Sequence, residues 1–337
     1  MVQRIDKEDK DPRLLESTLR FSYKAIVVSV VAAIAGYGIW LLATDSGDGL
    51  KAITQFSPWL VLWVSLLSIA NYLLRFFRWQ GFLRQGDYAV PPLKSLGYYL
   101  AGFALTTTPG KAGEAVRSLY LEKHQVPVTN SLAMLVVERV QDLLAVLLLA
   151  SFAILRFPEY AAFGYAALVL LSGLIFLMLS QKCQHLAEKI INRIPISWVN
   201  RLGFRVLDIL KQSNQLLGPV RLLQGLLIGI IAWGLEALAL GIIVEATGNT
   251  IDYSLAAGIY ALAMLAGALS FLPGGLGSAE AVMYGLLLAS GVDSANATAA
   301  TLISRLTTLW LAVVIGLITL LIIHGKLPQI IRRKSYE

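Results

Sequence analysis

Long apolar runs, broken at a few defined points, dominate this chain. A bilayer core takes roughly 20 mostly apolar residues per helix. Six stretches meet that, at 25–43, 56–75, 131–155, 161–180, 222–244 and 297–323. The first follows a charged leader, residues 1–24, and its apolar run is too long for the core of a cleavable signal, so it reads as a true first span. Two further apolar stretches are interrupted. Residues 95–108 stop at Pro109-Gly110-Lys111-Ala112-Gly113-Glu114, and residues 254–272 stop at Pro273-Gly274-Gly275-Leu276-Gly277, before a second short run to about 291. Proline removes a helix donor and clashes with the preceding turn, and backbone groups freed this way cannot face lipid. Each segment is therefore predicted to be a re-entrant hairpin, with a half-helix in, a Pro-Gly turn at depth and a half-helix out. The expected fold is an all-α polytopic membrane protein of six spanning helices plus two re-entrant helical hairpins.

Composition agrees with this reading. Apolar residues make up 57% of the chain and charged residues 15%, well below the quarter or so of a soluble domain. The net charge of +7 would suggest nucleic acid in a soluble protein, but here the distribution of Lys and Arg decides otherwise. Basic residues crowd the leader, the segment with Arg75, Arg78, Arg84 and Lys94, residues 181–221, and a tail with Lys326, Arg332, Arg333 and Lys334. The loop after the first span has only Lys51, the loop after the third only Arg156, and 245–296 has none. The alternation predicts a multi-pass protein of the cell (cytoplasmic) membrane with both termini cytoplasmic.

On that topology the first hairpin enters from the cytoplasmic side and the second from outside. The sequence also repeats: Pro109-Gly110-x-x-Gly113 matches Pro273-Gly274-x-x-Gly277, with Arg139 lying 30 residues after the first proline and Arg305 lying 32 after the second. The expected organisation is a cytoplasmic leader (1–24), a first membrane repeat (25–160), a second, inverted repeat (161–323) and a cytoplasmic tail (324–337). Within the second repeat, Trp198, Leu202, Val206, Ile209, Ser213 and Leu216 recur at helical spacing opposite Arg201, Arg205, Asp208, Gln212 and Gln215. That pattern predicts an amphipathic helix, lying in the cytoplasmic interface or packed on the ends of the spans.

Ionisable groups inside a membrane cost several kcal/mol and ask for a reason. The third span carries Glu138, Arg139 and Asp142, the sixth Arg305, the fifth Glu236 and the second hairpin Glu280. Arg305 is expected to pair with Glu280 or Glu236, and Arg139 with Glu114 or its own neighbours. These groups either brace the hairpins as internal ion pairs or line a polar path for a headgroup. A half-helix starting at depth would aim free N–H groups inward, and in the first hairpin Lys111 and Arg117 would add cations suited to phosphate. The glycines read equally as a means of close helix packing. Metal chemistry has no basis: Cys183 is the single cysteine, and His124, His185 and His324 are scattered. No nucleophile–base pair, P-loop or dinucleotide fingerprint occurs, so neither a catalytic residue nor a cofactor is expected.

At these motifs the chain resembles the lysylphosphatidylglycerol synthase transmembrane (flippase-like) family. The resemblance runs from about residue 15 to 325 and rests on Pro109 to Glu114 with Arg117, on Glu138-Arg139 with Asp142, and on Pro273 to Gly277 with Glu280 and Arg305. In the two-part multiple peptide resistance factor proteins, a membrane region of this kind moves aminoacylated phosphatidylglycerol outward, and a cytoplasmic domain attaches the amino acid. This chain looks like the membrane part standing alone, without the aminoacyl-transferase domain, so the resemblance implies a flippase-like activity and not the synthase. Arg139 and Arg305 would bind phosphate, with Glu114, Glu138, Asp142, Glu236 and Glu280 pairing with them or holding a cationic headgroup. The expected partner is a membrane phospholipid or lipid-linked substrate. An intramembrane enzyme acting on a lipid phosphate, and a non-transporting partner of a separate lipid-modifying enzyme, stay open as alternatives.

Overall fold

Proline opens two long helices of equal length, one in each half of the molecule. Pro58 starts α1 (Pro58–Gln85) and Pro219 starts α8 (Pro219–Ala246), each 28 residues long. At the first turn a missing N–H costs nothing and the fixed φ suits the helix. At 1.5 Å per residue each is about 42 Å long, enough to cross a bilayer core at a tilt. The computed structural model describes residues 53–54 and 56–325, apart from the side chains of 109–112 and 324–325. The predicted leader, the predicted span at 25–43 and nearly all of the tail lie outside them.

The first half continues with α2 (Pro92–Gly102), two 3-10 turns (Phe103–Leu105 and Pro109–Val116), the short α3 (Arg117–Leu121) and α4 (Val128–Arg156). Then come α5 (Ala161–Leu179), α6 (Gln181–Asn192) and α7 (Ser197–Leu216). After α8, the second half adds α9 (Tyr253–Leu269), a turn at Pro273–Gly275, α10 (Ser278–Ala289) and α11 (Ser294–Arg305). A π-turn at Leu306–Trp310 joins α11 to α12 (Leu311–Gly325).

Among the described residues, four helical stretches are long and apolar enough to cross a membrane: 58–85, 158–179, 219–246 and 294–323. They coincide with four of the predicted spans. A fifth, predicted at 131–155, is the 29-residue α4, which has the length but is laden with Glu138, Arg139 and Asp142. Among the described residues, then, four of the predicted spans meet the length and apolarity of a crossing helix, and the one at 25–43 lies outside them. The outer surfaces of the long helices are those of a protein solvated by lipid. Trp59, Trp63 and Phe77 on α1, and Tyr165, Val169, Leu170 and Phe176 on α5, all point outward and exposed, an apolar surface far larger than a soluble monomer displays.

The packing partners are exchanged symmetrically between the halves. The opening helix α1 packs on its counterpart α8, and the 3-10 segment at the first Pro-Gly turn packs on the second turn. The entering helix α2 packs on α12, the last helix of the other half; correspondingly α9 packs on α4, the last helix of the first half. Exchanging the halves leaves this set of contacts unchanged. Two close approaches make it possible: a Cβ on Gly258 of α9 would stand 2.2 Å from the Ala153 N of α4, and one on Gly316 of α12 would stand 2.1 Å from the Ala104 N following α2. Only glycine admits backbone contact at that range.

The two interrupted segments differ from the matched half-helices expected. After the first proline the chain runs as a tight 3-10 coil for eight residues and then as only five residues of α-helix. After the second, Gly274, Gly275 and Gly277 all take positive φ (64°, 67° and 85°) and a regular 12-residue helix follows. Glycine is the residue that adopts those angles at little cost. The amphipathic helix α7 also departs from its predicted pattern. Its C-terminal half buries Leu207, Leu210, Ser213 and Leu216 against the bundle, whereas Trp198, Leu202 and Val206 remain exposed. The single apolar face predicted from spacing is thus divided between bundle contact and an outward stripe.

Candidate functional site

Three carboxylates of the first half converge with four guanidinium groups. Glu138 and Asp142 share a face of α4, one turn apart, and both are buried. Arg75 and Arg78 reach them from α1. Arg78 Nη2 donates to Asp142 Oδ1 at 2.5 Å, and Arg75 Nη2 stands 3.1 Å from Asp142 Oδ2 and 3.6 Å from Glu138 Oε1. Arg117 Nη2 donates to Glu138 Oε2 at 2.5 Å, its guanidinium 3.8 Å from the centre of the Trp79 ring, and Tyr99 donates its hydroxyl to Glu138 Oε1 at 3.0 Å. Arg139 Nη2 donates to Glu114 Oε2 at 3.2 Å and lies 3.4 Å from Glu138 and 3.6 Å from Asp142. Thr106, just before the first turn, donates to the other oxygen of Glu114 at 3.0 Å.

The second half repeats the motif on a smaller scale. Arg305 Nε donates to Glu280 Oε1 at 2.6 Å, and its Nη2 donates to the Gly274 carbonyl at 3.0 Å. The other oxygen of Glu280 accepts the Gly277 N–H at 2.7 Å. Glu236, on α8, accepts from the Ser68 hydroxyl of α1 at 2.9 Å. The π-turn that follows Arg305 shifts the ladder, and the Thr308 carbonyl there accepts from Tyr72 of α1 at 2.5 Å. Asn71 of α1 donates to the Ala232 carbonyl of α8 at 2.7 Å, so the halves are joined by polar as well as apolar contact.

Between the halves lies a cavity of about 50 Å³, lined by Arg75, Thr106 and Glu114 on one side and by Glu236, Tyr260 and Arg305 on the other. That is room for one or two waters. The Arg139 side chain is 23% exposed, the most open of the clustered arginines. Nε of Arg75, Arg78, Arg117 and Arg139, and Asp142 Oδ2, have no hydrogen-bond partner among the described residues. The cluster is held by charge more than by saturated hydrogen bonding.

The structure brings together Arg139, Arg117, Glu114, Glu138 and Asp142 in one group, and Arg305 with Glu280 in a second, with Glu236 across the cavity. Both pairings expected from sequence occur: Arg139 with Glu114, and Arg305 with Glu280. The Lys111 side chain is outside the described residues, as are those of Pro109 and Gly110. Arg117, expected beside a phosphate, pairs with Glu138 and lies over the Trp79 ring. The expected free half-helix terminus at the second turn is also occupied, since Glu280 caps it; at the first turn the helix is too short to have one. Arg75 and Arg78 were missed. They read as loop cations because they stand near the end of an apolar run, but both are buried within α1. Their spacing of three puts them on one helix face, the only sign of a shared role available in the sequence.

Comparison with known proteins places this arrangement. The family described as the lysylphosphatidylglycerol synthase TM region matches residues 25–316. A UPF0104 membrane protein of Methanothermobacter thermautotrophicus is 25% identical over 90% of this chain and 93% of its own length. The UPF0104 membrane protein MJ1595 of Methanocaldococcus jannaschii is 23% identical over 83% of this chain and 89% of its own. The UPF0104 membrane protein PH1989 of Pyrococcus horikoshii is 24% identical over 76% and 84% respectively. The match to the family covers most of the chain, including both Pro-Gly turns and every buried arginine and carboxylate of the site: the protein belongs to the lysylphosphatidylglycerol synthase transmembrane-region family.

Proposed function

We propose that this protein is a lipid flippase-like transporter, moving a phospholipid or lipid-linked headgroup between leaflets along the seam of its two halves. The observation that carries this reading is the distribution of buried charge about that seam. On one side four guanidiniums (Arg75, Arg78, Arg117, Arg139) face three carboxylates (Glu114, Glu138, Asp142); on the other, one guanidinium (Arg305) faces two (Glu280, Glu236). The sum is neutral but the cavity wall is polarised, positive toward the first half and negative toward the second. A headgroup with a phosphate and a cationic or hydroxylated end fits that polarity. The phosphate would sit on Arg139 and Arg75, whose donors are incompletely used, and the far end toward Glu236.

The family membership supports a lipid-related role in the membrane. The exchange symmetry of the packing supports two equivalent halves, which we read as an inverted repeat whose hairpins enter from opposite faces, with both termini on the basic, cytoplasmic side. A cavity of about 50 Å³ is too small for a headgroup, so this is a closed conformation on the present reading. Passage requires the halves to rock apart while the acyl chains stay in lipid. The cost of leaving the arginines partly unpaired favours an arriving anion.

The test is leaflet exchange of labelled phospholipids in vesicles carrying the purified protein. Exchange above that of empty vesicles, lost in Arg139→Ala and Arg305→Ala variants that retain their fold, supports the reading. Wild-type vesicles indistinguishable from empty ones for anionic, zwitterionic and cationic lipids would overturn it.

A further inference from the structure

A second cavity, of about 270 Å³, shares no lining residue with the first and lies between the end of α1, the start of α4, the end of α7 and the start of α8. Its polar wall is Gln85, Tyr88, Asn130, Gln212, Gln215 and Arg221. We propose that this pocket is the site where a phosphate-linked, hexose-sized polyol headgroup docks before it reaches the buried charge cluster; this rests on the transport reading above.

The chemistry of the wall selects the ligand class. The surrounding segments are rich in full charges, yet the pocket is lined by primary amides, one phenol and one guanidinium. An amide presents a donor and an acceptor on one rigid plane, the complement of a hydroxyl group that also does both. A carboxylate-rich wall would select cations, and an arginine-rich one a bare phosphate. One Arg among four amides suits a single phosphate on a polyhydroxylated group. Some of these groups are already committed: Gln85 donates to the Gln215 carbonyl at 3.0 Å, and Asn130 to the Tyr88 hydroxyl at 2.7 Å. Among the described residues, the side chains of Gln212 and Gln215 make no hydrogen bond and Arg221 makes no ion pair, so those three keep their capacity for a ligand. The size agrees as well. At a share of about 30 Å³ each, the space holds on the order of nine waters, far more than a lone phosphate displaces.

Geometry links the pocket to the cluster. Asn130, Met134, Glu138 and Asp142 follow one another at intervals of four along α4, hence on one face. The first two line the pocket and the last two belong to the cluster. From Asn130 to Glu138 the helix advances only about 12 Å. A parallel link runs along α8: the Arg221 carbonyl accepts from Gln141, next to Asp142, and the Gly225 carbonyl accepts from Arg78, also at the cluster. Gln141 fills the space over Gly225, where a Cβ would come within 2.2 Å of its amide. It thus links Arg221, at the pocket, to the helix turn that carries Asp142, and its buried Oε1 has no partner among the described residues.

The experiment uses the full-length protein in detergent and follows lipid retention by native mass spectrometry, with phosphatidylinositol and phosphatidic acid as paired probes. Soluble glucose 1-phosphate is the competitor. Leaflet exchange is measured in parallel on the same preparations. The wild type is expected to retain phosphatidylinositol over phosphatidic acid, and Arg221→Gln and a Gln212→Leu/Gln215→Leu variant to lose about tenfold of that preference, the equivalent of one charge-assisted hydrogen bond. Displacement by glucose 1-phosphate assigns the site to a soluble sugar phosphate; retention in its presence assigns it to a lipid headgroup. Both support the pocket's ligand class. An unchanged preference in folded variants, or no preference in the wild type, overturns the proposal. Absence of leaflet exchange alongside an intact, Arg221-dependent preference would instead sink the transport reading and leave the pocket standing.

Discussion

Arg305 meets Glu280 at 2.6 Å across the second Pro-Gly turn, 25 residues after it in sequence. The same separation joins Arg139 to Glu114 across the first turn, at 3.2 Å. Each half thus clips its interrupted segment to a following helix by an acid–arginine pair of this spacing, and the first half adds a second pair, Arg117 with Glu138. In the second half the acid also caps the helix that leaves the turn, so Glu280 fixes the turn and the pair together.

Breaking such a pair from one side leaves a buried charge without compensation. Arg305→Ala is expected to cost about 3–5 kcal/mol of stability. An Arg305→Met/Glu280→Leu variant removes both charges and is expected to recover most of that while remaining inactive in leaflet exchange. Thermal unfolding in detergent, read beside the exchange assay, checks both. Recovery of exchange in the double variant would reduce the pair to a structural brace.

Arg75 and Arg84 lie on the same helix, but only Arg75 is buried in the cluster; Arg84 is exposed. Arg75→Gln is expected to abolish exchange and Arg84→Gln to leave it within about twofold of wild type, in line with the small effects of exposed surface charges. Equal effects of the two substitutions on exchange would contradict the assignment of Arg75 to the site.

The packing between halves makes a contrast among glycines. Gly316→Ala drives a Cβ to 2.1 Å from the Ala104 backbone, whereas a Cβ on Gly234 of α8 meets nothing within 4 Å. The first is expected to destabilise by about 1–3 kcal/mol, as overpacking does, and the second to be neutral or mildly stabilising. Denaturation midpoints of the two single variants decide it.

Outside the candidate spans, Lys211 of α7 binds Glu188 of α6, which also receives a hydrogen bond from His185 at 3.0 Å. The hydrogen bond from Lys211, then that from His185, hold the Glu188 carboxyl below its usual range. A lowered folded-state pKa means that this link is fully present above the ordinary carboxylate pKa and is lost as pH falls through the lowered value. Hydrogen exchange in α6 and α7, taken relative to the intrinsic rate at each pH, is therefore expected to quicken in the wild type as pH falls below the ordinary carboxylate range. In Glu188→Gln it is expected to be quicker at neutral pH and to show less of that acid step. An identical acid step in the variant would assign it to another group.

Much of this fold was legible because lipid leaves few options: long apolar runs become helices, and Pro-Gly clusters break them. The two ion pairs were readable for a related reason, since Arg139 and Arg305 stand in apolar runs where only a nearby acid relieves them. Arg75 and Arg78 were hidden by position. A basic residue near the end of an apolar stretch looks like a loop charge until the length of the helix is known, and α1 continues to Gln85. The 3-10 coil after Pro109 was equally hidden, because proline and glycine report a break but not the path that follows. On α7, spacing revealed the helix and its apolar positions, but tertiary contact decided which half of the stripe would be covered.

The most direct test is the position of lipid in a cryo-electron microscopy structure of the protein in nanodiscs containing anionic phospholipid. The account predicts headgroup density between the two Pro-Gly turns, its phosphate within hydrogen-bonding reach of Arg139 or Arg75, and the turns approached from opposite faces of the bilayer. Lipid confined to the outer perimeter around a sealed seam, with both turns on one side of the membrane, would contradict it.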